Sequence, residues 1–119
     1  MRVPAAGGSL AQAREFLRRQ LSILGVDGPG EDAVLAVNEA VANAVRHAYP
    51  AGSGDVEVTV GPIGDGVSVL VRDDGRGPGP WYDTRGAGLG TTIMDRCAIT
   101  LTVSRRIEGG TEVAFTFQR

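Results

Sequence analysis

Apolar residues recur at helical spacing twice in the first part of the chain and at strand spacing after that. From Ser9 onward, Leu10, Ala13, Phe16, Leu17, Leu21 and Leu24 fall on one face of a helix, with Arg14, Arg18 and Arg19 on or beside the other. Ser9 is a good N-cap, Gly25 ends the helix, and residues 27–30 read as a turn. A second helix is predicted over residues 31–48, stopped by Pro50. With Glu39 placed at zero on its wheel, Asn43, Arg46 and His47 fall at about 40°, −20° and 80°. Val34, Val37, Val41, Ala44, Val45 and Ala48 gather between about 140° and 240°. This helix therefore carries an unbroken apolar face opposite a carboxylate, an amide, a guanidinium and an imidazole. Such a pattern usually marks a surface helix with a solvated polar side.

After the flexible stretch 51–54 the period changes to two. Val56, Val58 and Val60 alternate with Glu57, Thr59 and Gly61, a half-buried strand rich in β-branched residues. Residues 62–66 turn the chain into a second strand over 67–72, giving a hairpin. A stretch rich in Gly and Pro covers 73–90, and a helix is predicted over 89–97. Strands over 99–105 and 111–117 follow, joined at 108–110. Residues 1–3 have room for a short strand, stopped by Pro4. Hairpin-paired strands with helices grouped apart predict an α+β two-layer sandwich, one domain over residues 1–119.

The composition narrows the function classes. A net charge of −2 leaves no nucleic-acid footprint, and no apolar run approaches the ~20 residues of a membrane span. The start of the chain lacks the apolar core of a signal peptide. Cys97 is the single cysteine; it cannot form an internal disulfide and fits a reducing, cytoplasmic setting. One His and one Cys cannot build a metal cluster.

Three short motifs follow the polar helix. Asp73 ends the second strand of the hairpin and is followed by Asp74-Gly75-Arg76-Gly77. A carboxylate there can accept a hydrogen bond from an exocyclic amine, and glycines after it let the backbone approach a flat ring. Alone, the same residues read as an ordinary Asp-Gly turn. Gly86-Ala87-Gly88-Leu89-Gly90-Thr91 opens the predicted helix 89–97, where free N–H groups and the helix dipole suit an anion. It is neither a Walker motif nor a dinucleotide fingerprint. Gly110-Thr111 begins the last strand and could bring a hydroxyl beside Asp73.

In this order, Glu39-x-x-x-Asn43, Asp73-x-Gly75-x-Gly77, Gly86-x-Gly88-Leu89-Gly90 and Gly110-Thr111 resemble the Bergerat-fold (GHKL-type, histidine-kinase-like) ATPases. That superfamily includes DNA gyrase, a heat-shock chaperone, histidine kinases and mismatch-repair ATPases. Within it the chain is most similar to the small anti-sigma factor serine kinases, whose N box resembles residues 39–49. Thr92-Ile93-Met94 after the glycines is also similar. The resemblance covers almost the whole chain. It implies a mixed, mostly antiparallel sheet with helices on one face, and ATP and Mg²⁺ as cofactors.

Residue by residue, the resemblance implies that Asn43 holds Mg²⁺, a hard cation that takes few protein ligands. It makes Glu39 the general base for an attacking hydroxyl and Asp73 the adenine-reading carboxylate, with Gly75 and Gly77 giving the ring access. Gly86, Gly88, Leu89 and Gly90 correspond to the phosphate lid and helix start, and Thr111 joins Asp73 beneath the base. Arg46 stands where related kinases carry a basic phosphate contact; a solvated arginine is the other reading. His47 is a pocket wall or a satisfied histidine rather than a ligand or acid–base group. Ala13-Arg14, with Arg18 nearby, is similar to the partner-binding position. The chain departs from the family in a shorter lid over 78–85, in Thr91 where a bulky apolar residue is frequent, and in an N-terminal strand that is nearly absent. In relatives that edge helps build a homodimer.

The implied function is an ATP-dependent serine/threonine kinase that phosphorylates an anti-sigma factor antagonist and sequesters a sigma factor, regulating transcription. Two other functions fit the same motifs. One is a module that binds ATP and its partner without phosphorylating it, which the short lid favours. The other is a detached histidine-kinase catalytic domain, which would need a phosphoacceptor histidine nearby; the only His is inside the N box.

Overall fold

The computed structural model describes residues 1–4, 8–26, 30–47, 54–75, 100–107 and 109–118. The predicted helix 89–97, the turn at 27–30, Cys97, Thr91 and the lid 78–85 lie outside these residues, as do Gly77, Gly86, Gly88, Leu89 and Gly90.

Two helices and five strands follow the predicted order: β1 (Arg2–Pro4), α1 (Ser9–Ile23), α2 (Gly30–His47), β2 (Asp55–Ile63), β3 (Gly66–Asp73), β4 (Thr100–Arg105) and β5 (Thr111–Gln118). The strands form one sheet in the order β1-β2-β3-β5-β4. Every pairing among the described strands is antiparallel, so the parallel component of a mixed sheet is not seen there. Both helices lie on the sheet, α1 against β1 and β2, α2 against β2, β3 and β5. The architecture is the α+β sandwich predicted.

The core follows from the period-two pattern. Val56 and Val58 of β2, Val67, Val69 and Val71 of β3, and Val113, Phe115 and Phe117 of β5 are buried on one face. Each such side chain contributes about 1.5–3 kcal/mol on burial. They meet Ala13, Leu17 and Leu21 of α1 and Val34, Val37, Val41 and Ala44 of α2 in the same cluster. The other face of the sheet carries alternating charge across four strands. Arg2 meets Glu57 at 3.3 Å, Glu57 meets Arg72 at 3.9 Å, and Arg72 meets Glu112 at 2.6 Å. The pairs are partly solvated and worth about 0–1 kcal/mol each, but they agree with only one register.

Three local expectations are corrected. Ser9 is not the N-cap: Gly8 takes that position without a side-chain cap, and Ser9 is the first helical residue, buried toward the core. β2 does not stop before Pro62 but runs to Ile63, with Pro62 opposite Val67. β1 reaches only Asp55 to Glu57, so this half of β2 is an edge, where a missing N–H costs nothing. Pro4 likewise does not stop β1 but belongs to it, at the sheet edge opposite Asp55.

The end of α1 confirms its glycine signal. The Gly25 N–H donates to the Ser22 carbonyl at 3.1 Å and that of Val26 to Leu21 at 2.9 Å. Gly25 has φ 75°, and Val26 and Leu21 are both buried, which completes a Schellman cap.

The sheet order matters most at Gly110. The hairpin β4–β5 docks through β5 onto β3, with Asp73 opposite Thr111 as the last rung. Gly110 has φ 94°, and a Cβ there would run into the Asp73 carbonyl and stand 2.8 Å from the Asp74 Cα. Gly109 has φ 104° but open space around its missing Cβ. Gly109→Ala therefore adds only backbone strain, about 1–2 kcal/mol. Gly110→Ala adds displacement of β3 and should cost at least about 2–3 kcal/mol. Urea unfolding of the two variants checks the difference; equal losses would show that the close approach to Asp73 carries no weight.

Candidate functional site

The site is built at the end of β3, where the chain leaves the sheet. Asp73 faces the helix side in step with Val67, Val69 and Val71, so the alternation that fills the core also buries this carboxylate, to 5% exposure. Its Oδ1 accepts the Gly75 N–H at 2.9 Å. The Thr111 backbone N–H, across the last rung, donates to the same carboxylate, and the rest of Thr111 is buried beside it. Burial raises the Asp73 pKa above its ordinary value, and the neighbouring charge of Asp74 adds to this; the N–H groups of Gly75 and Thr111 and the Arg106 guanidinium oppose it. Such a group at a strand end can accept a hydrogen bond from a ligand that shields it from water.

The polar line of α2 is solvated only in part. Glu39 and Asn43 are half-buried, and on their flanks Ala36, Ala40 and Ala42 are buried. Partial burial of both polar groups departs from a fully solvated face. Val34, Val37, Val41 and Ala44 are buried as predicted, and Val45 is partly buried. Arg46 is exposed and its Nη2 donates to the Asn43 Oδ1 at 2.9 Å. That oxygen is the atom that would face Mg²⁺, so a cation would share or displace the guanidinium contact. His47 is the last residue of α2; its side chain lies outside the described set.

A groove of 320 Å³ runs between the two helices, lined by Arg14 and Arg18 of α1 and by Glu31, Val34, Leu35 and Asn38 of α2. Arg14 donates to the Asn38 Oδ1 and Arg18 to the Glu31 carboxylate, both at 3.3 Å. Leu35 is 40% exposed there. The sequence reading placed Arg14 and Arg18 together, and the structure agrees; it missed Asn38, whose amide gives Arg14 a fixed direction.

Asp73, Gly75 and Thr111 thus meet at one corner, and Glu39 and Asn43 share one strip of α2. Arg106 was also missed. It lies in the β4–β5 turn, and only the sheet order brings it to Asp73, where its Nη1 donates to the main-chain carbonyl at 3.1 Å. The donor set fits the group the resemblance implies: a desolvated carboxylate for an amine, and an amide oxygen for a hard cation. Among the described residues no cluster of His, Cys, Asp and Glu could hold a metal by itself. No helix among them is long and apolar enough to cross a membrane.

An antiparallel sheet covered by two helices defines the class of the fold as an α+β sandwich. The model of the histidine kinase-like ATPase domain matches residues 3–117, and the chain belongs to that family. The fold is similar to the histidine kinase domain of the blue-light activated histidine kinase from Erythrobacter litoralis, with a TM-score of 0.67 and 22% identity over 97% of this chain. The chain spans 61% of that domain's length. It is also similar to the mycobacterial sensor histidine kinase MprB, at 0.61 and 15% identity over 98% of this chain and 95% of that one. The Acinetobacter baumannii histidine kinase AdeS matches at 0.62 and 9% identity over 99% and 67% of the two chains. At these identities the likeness is one of fold. A comparison with curated proteins gives no match.

The raised pKa of Asp73 has a consequence for the unliganded protein. The fold favours the neutral acid, so this group's contribution to stability is full below the ordinary aspartate value and is lost as pH rises through the raised one. Asp73→Asn removes the titration. In urea unfolding between about pH 3 and pH 7, wild type should lose stability relative to Asp73→Asn as pH increases. A flat difference would mean that burial does not shift Asp73, and one that runs the other way would place the carboxylate in a favourable charged environment.

Proposed function

We propose that the chain is an ATP-binding anti-sigma factor with serine/threonine kinase activity toward an anti-sigma factor antagonist. The observation that carries the proposal is the partly buried Glu39, one turn before Asn43 on the same strip of α2. A module that only holds ATP has no use for a half-buried carboxylate at that position. In this reading Asp73 accepts the exocyclic amine of adenine, with Gly75 and Thr111 holding the carboxylate. Asn43 offers its amide oxygen to Mg²⁺, Arg46 turns outward to a phosphate, and Glu39 takes the proton from the attacking serine. ATP supplies the phosphoryl group and Mg²⁺ neutralises the charge on it; most of the remaining catalysis is positioning. Gly77, Gly86, Gly88, Leu89 and Gly90 complete the nucleotide site in this proposal.

Glu39 and Asn43 should differ in kind when removed. They are one turn apart, about 6 Å along the axis. A positioned base typically contributes about 10²–10⁴-fold to transfer from a hydroxyl. Glu39→Ala should leave Mg-ATP affinity near wild type and slow antagonist phosphorylation by at least about tenfold, a barrier change of about 1.4 kcal/mol. Asn43→Ala should lose Mg²⁺-dependent ATP binding and phosphorylation together. Incubation with labelled ATP and the antagonist reads both. Equal rates for wild type and Glu39→Ala would remove Glu39 as the base. ATP-dependent partner binding with no phosphorylation by either would favour the module that binds without catalysis.

The histidine kinases among the similar folds support a second reading, a detached histidine-kinase catalytic domain that phosphorylates a histidine on another chain. Acid-labile label on a partner, in place of acid-stable phosphoserine, would support it.

The groove of Arg14 and Arg18 is the proposed partner surface, for a sigma factor or an antagonist with an acidic patch. Arg14→Glu reverses the charge beside Asn38. It should weaken partner binding by about tenfold or more while ATP affinity stays unchanged. Loss of both in parallel titrations would indicate misfolding and remove the groove from the proposal.

A further inference from the structure

We propose that Arg106 is a positioning residue for base recognition: its guanidinium clamps the end of β3 to the β4–β5 turn and so fixes the direction of the Asp73 carboxylate. The inference rests on the adenine-reading role proposed above for Asp73. Four contacts converge on two residues. Arg106 Nη1 donates to the Asp73 carbonyl at 3.1 Å and also to the Asp74 carboxylate. Gly110 lets the Asp73 carbonyl come against the turn. The Gly75 and Thr111 N–H groups hold the Asp73 side chain.

Of these, Arg106 alone grips the main chain of residue 73 and the side chain of residue 74 together. One charged nitrogen held between two acceptors on neighbouring residues restrains their relative direction more than a single hydrogen bond does. The base of the clamp is itself fixed. The Arg106 N–H donates to the Gly110 carbonyl at 3.1 Å and the Gly109 N–H to the Arg106 carbonyl at 3.0 Å, closing the turn. Asp73 is the last residue β3 pairs with β5, so it has no further rung to hold it beyond Thr111. Arg106 fills that role. Its positive charge also opposes, in the smallest part, the effect of burial on Asp73. An unclamped Asp73 would still bind a purine but would discriminate less between an amine and a carbonyl at the recognised ring position.

The test is calorimetric titration of the whole chain with Mg-ATP and Mg-GTP. Wild type, Arg106→Ala, Arg106→Lys, Asp73→Asn and Ile107→Ala are compared, with thermal melting of each. Ile107 is wholly exposed in the same turn and serves as the control. Arg106→Ala should weaken ATP about three- to tenfold, the range for one lost hydrogen bond, and leave GTP within twofold, so that the ATP-to-GTP ratio falls. Arg106→Lys should restore at least half of the ratio, and Ile107→Ala should match wild type. If Arg106→Ala does not fold, Arg106→Gln keeps much of the bulk without the charge and should show the same fall in the ratio. ATP and GTP weakened equally, or a ratio within twofold of wild type, overturns the clamp. If the clamp fails while Asp73→Asn abolishes discrimination, the adenine reading survives without it. If Asp73→Asn binds both nucleotides as wild type does, the adenine reading fails and the clamp falls with it.

Discussion

The pairing of Asp73 with Thr111 is the constraint on which the site depends. The chain leaves the sheet after Asp73, forms the edge strand β4, and returns as β5 between β4 and β3. Only that order puts the turn before β5 against the end of β3. Three requirements then fall on a few residues. Gly110 must lack a Cβ because the Asp73 carbonyl occupies its place. Thr111 must present its N–H to a carboxylate. Asp73 must lie on the buried face, since the same period-two register buries Val69 and Val71 behind it. A slip of one residue would turn the carboxylate to the outer face, among Arg72 and Glu112.

The second dependence is on small residues in α2. A helix that packs on three strands usually spends its wide face on large aliphatic side chains. Here Ala33, Ala36, Ala40, Ala42 and Ala44 are buried alongside valines. Alanine brings neighbouring chain close, and Glu39 and Asn43 beside these alanines are partly buried. The cost is apolar area: an alanine buries far less than a leucine, so more of the core rests on the valines of β2 and β3 and on Phe115 and Phe117, whose rings stack at 6.0 Å. The strip of Glu39 and Asn43 is thus a product of the packing choice, not an addition to it.

Much of this was legible in the sequence. The two periods placed both helices and four of the strands within a residue or two. The glycine signals held where local geometry decides, as at Gly25. What failed were boundaries set by tertiary context. Serine before an apolar run is a sound N-cap signal, yet Gly8 already has helical angles, so Ser9 starts the helix and turns inward. Proline is a sound strand breaker, yet Pro62 and Pro4 lie on edges where no partner asks for a donor. Arg106 and Asn38 were invisible for a different reason. Each acts on a residue far along the chain, 33 and 24 positions away, and neither belongs to a local motif. The corner of Asp73 and Thr111 could be read because each lies in a short motif of fixed order.

The arrangement at rest is electrostatically unsettled at both ends of the proposed site. Asp73 is a buried carboxylate whose surroundings favour its neutral form, and the Asn43 oxygen is engaged by a guanidinium that repels a cation. Neither condition stabilises the fold for its own sake: a well-packed apolar residue would serve better at 73, and Arg46, being exposed, gains little from an amide beside it. Both conditions are relieved by a ligand of one kind. In the proposed function, a donor group against Asp73 would add to the N–H groups of Gly75 and Thr111 that the carboxylate already accepts. In the same proposal, a divalent ion with attached phosphates would take the Asn43 oxygen and give Arg46 an anion beside it. Because the relief comes only with ligand, binding energy at each end is linked to the stability of its own element, β3 with its turn at one and the last turns of α2 at the other. A nucleotide bridging the two would therefore tighten the sheet and the helix together, although the chain makes no direct bond between Asp73 and Asn43.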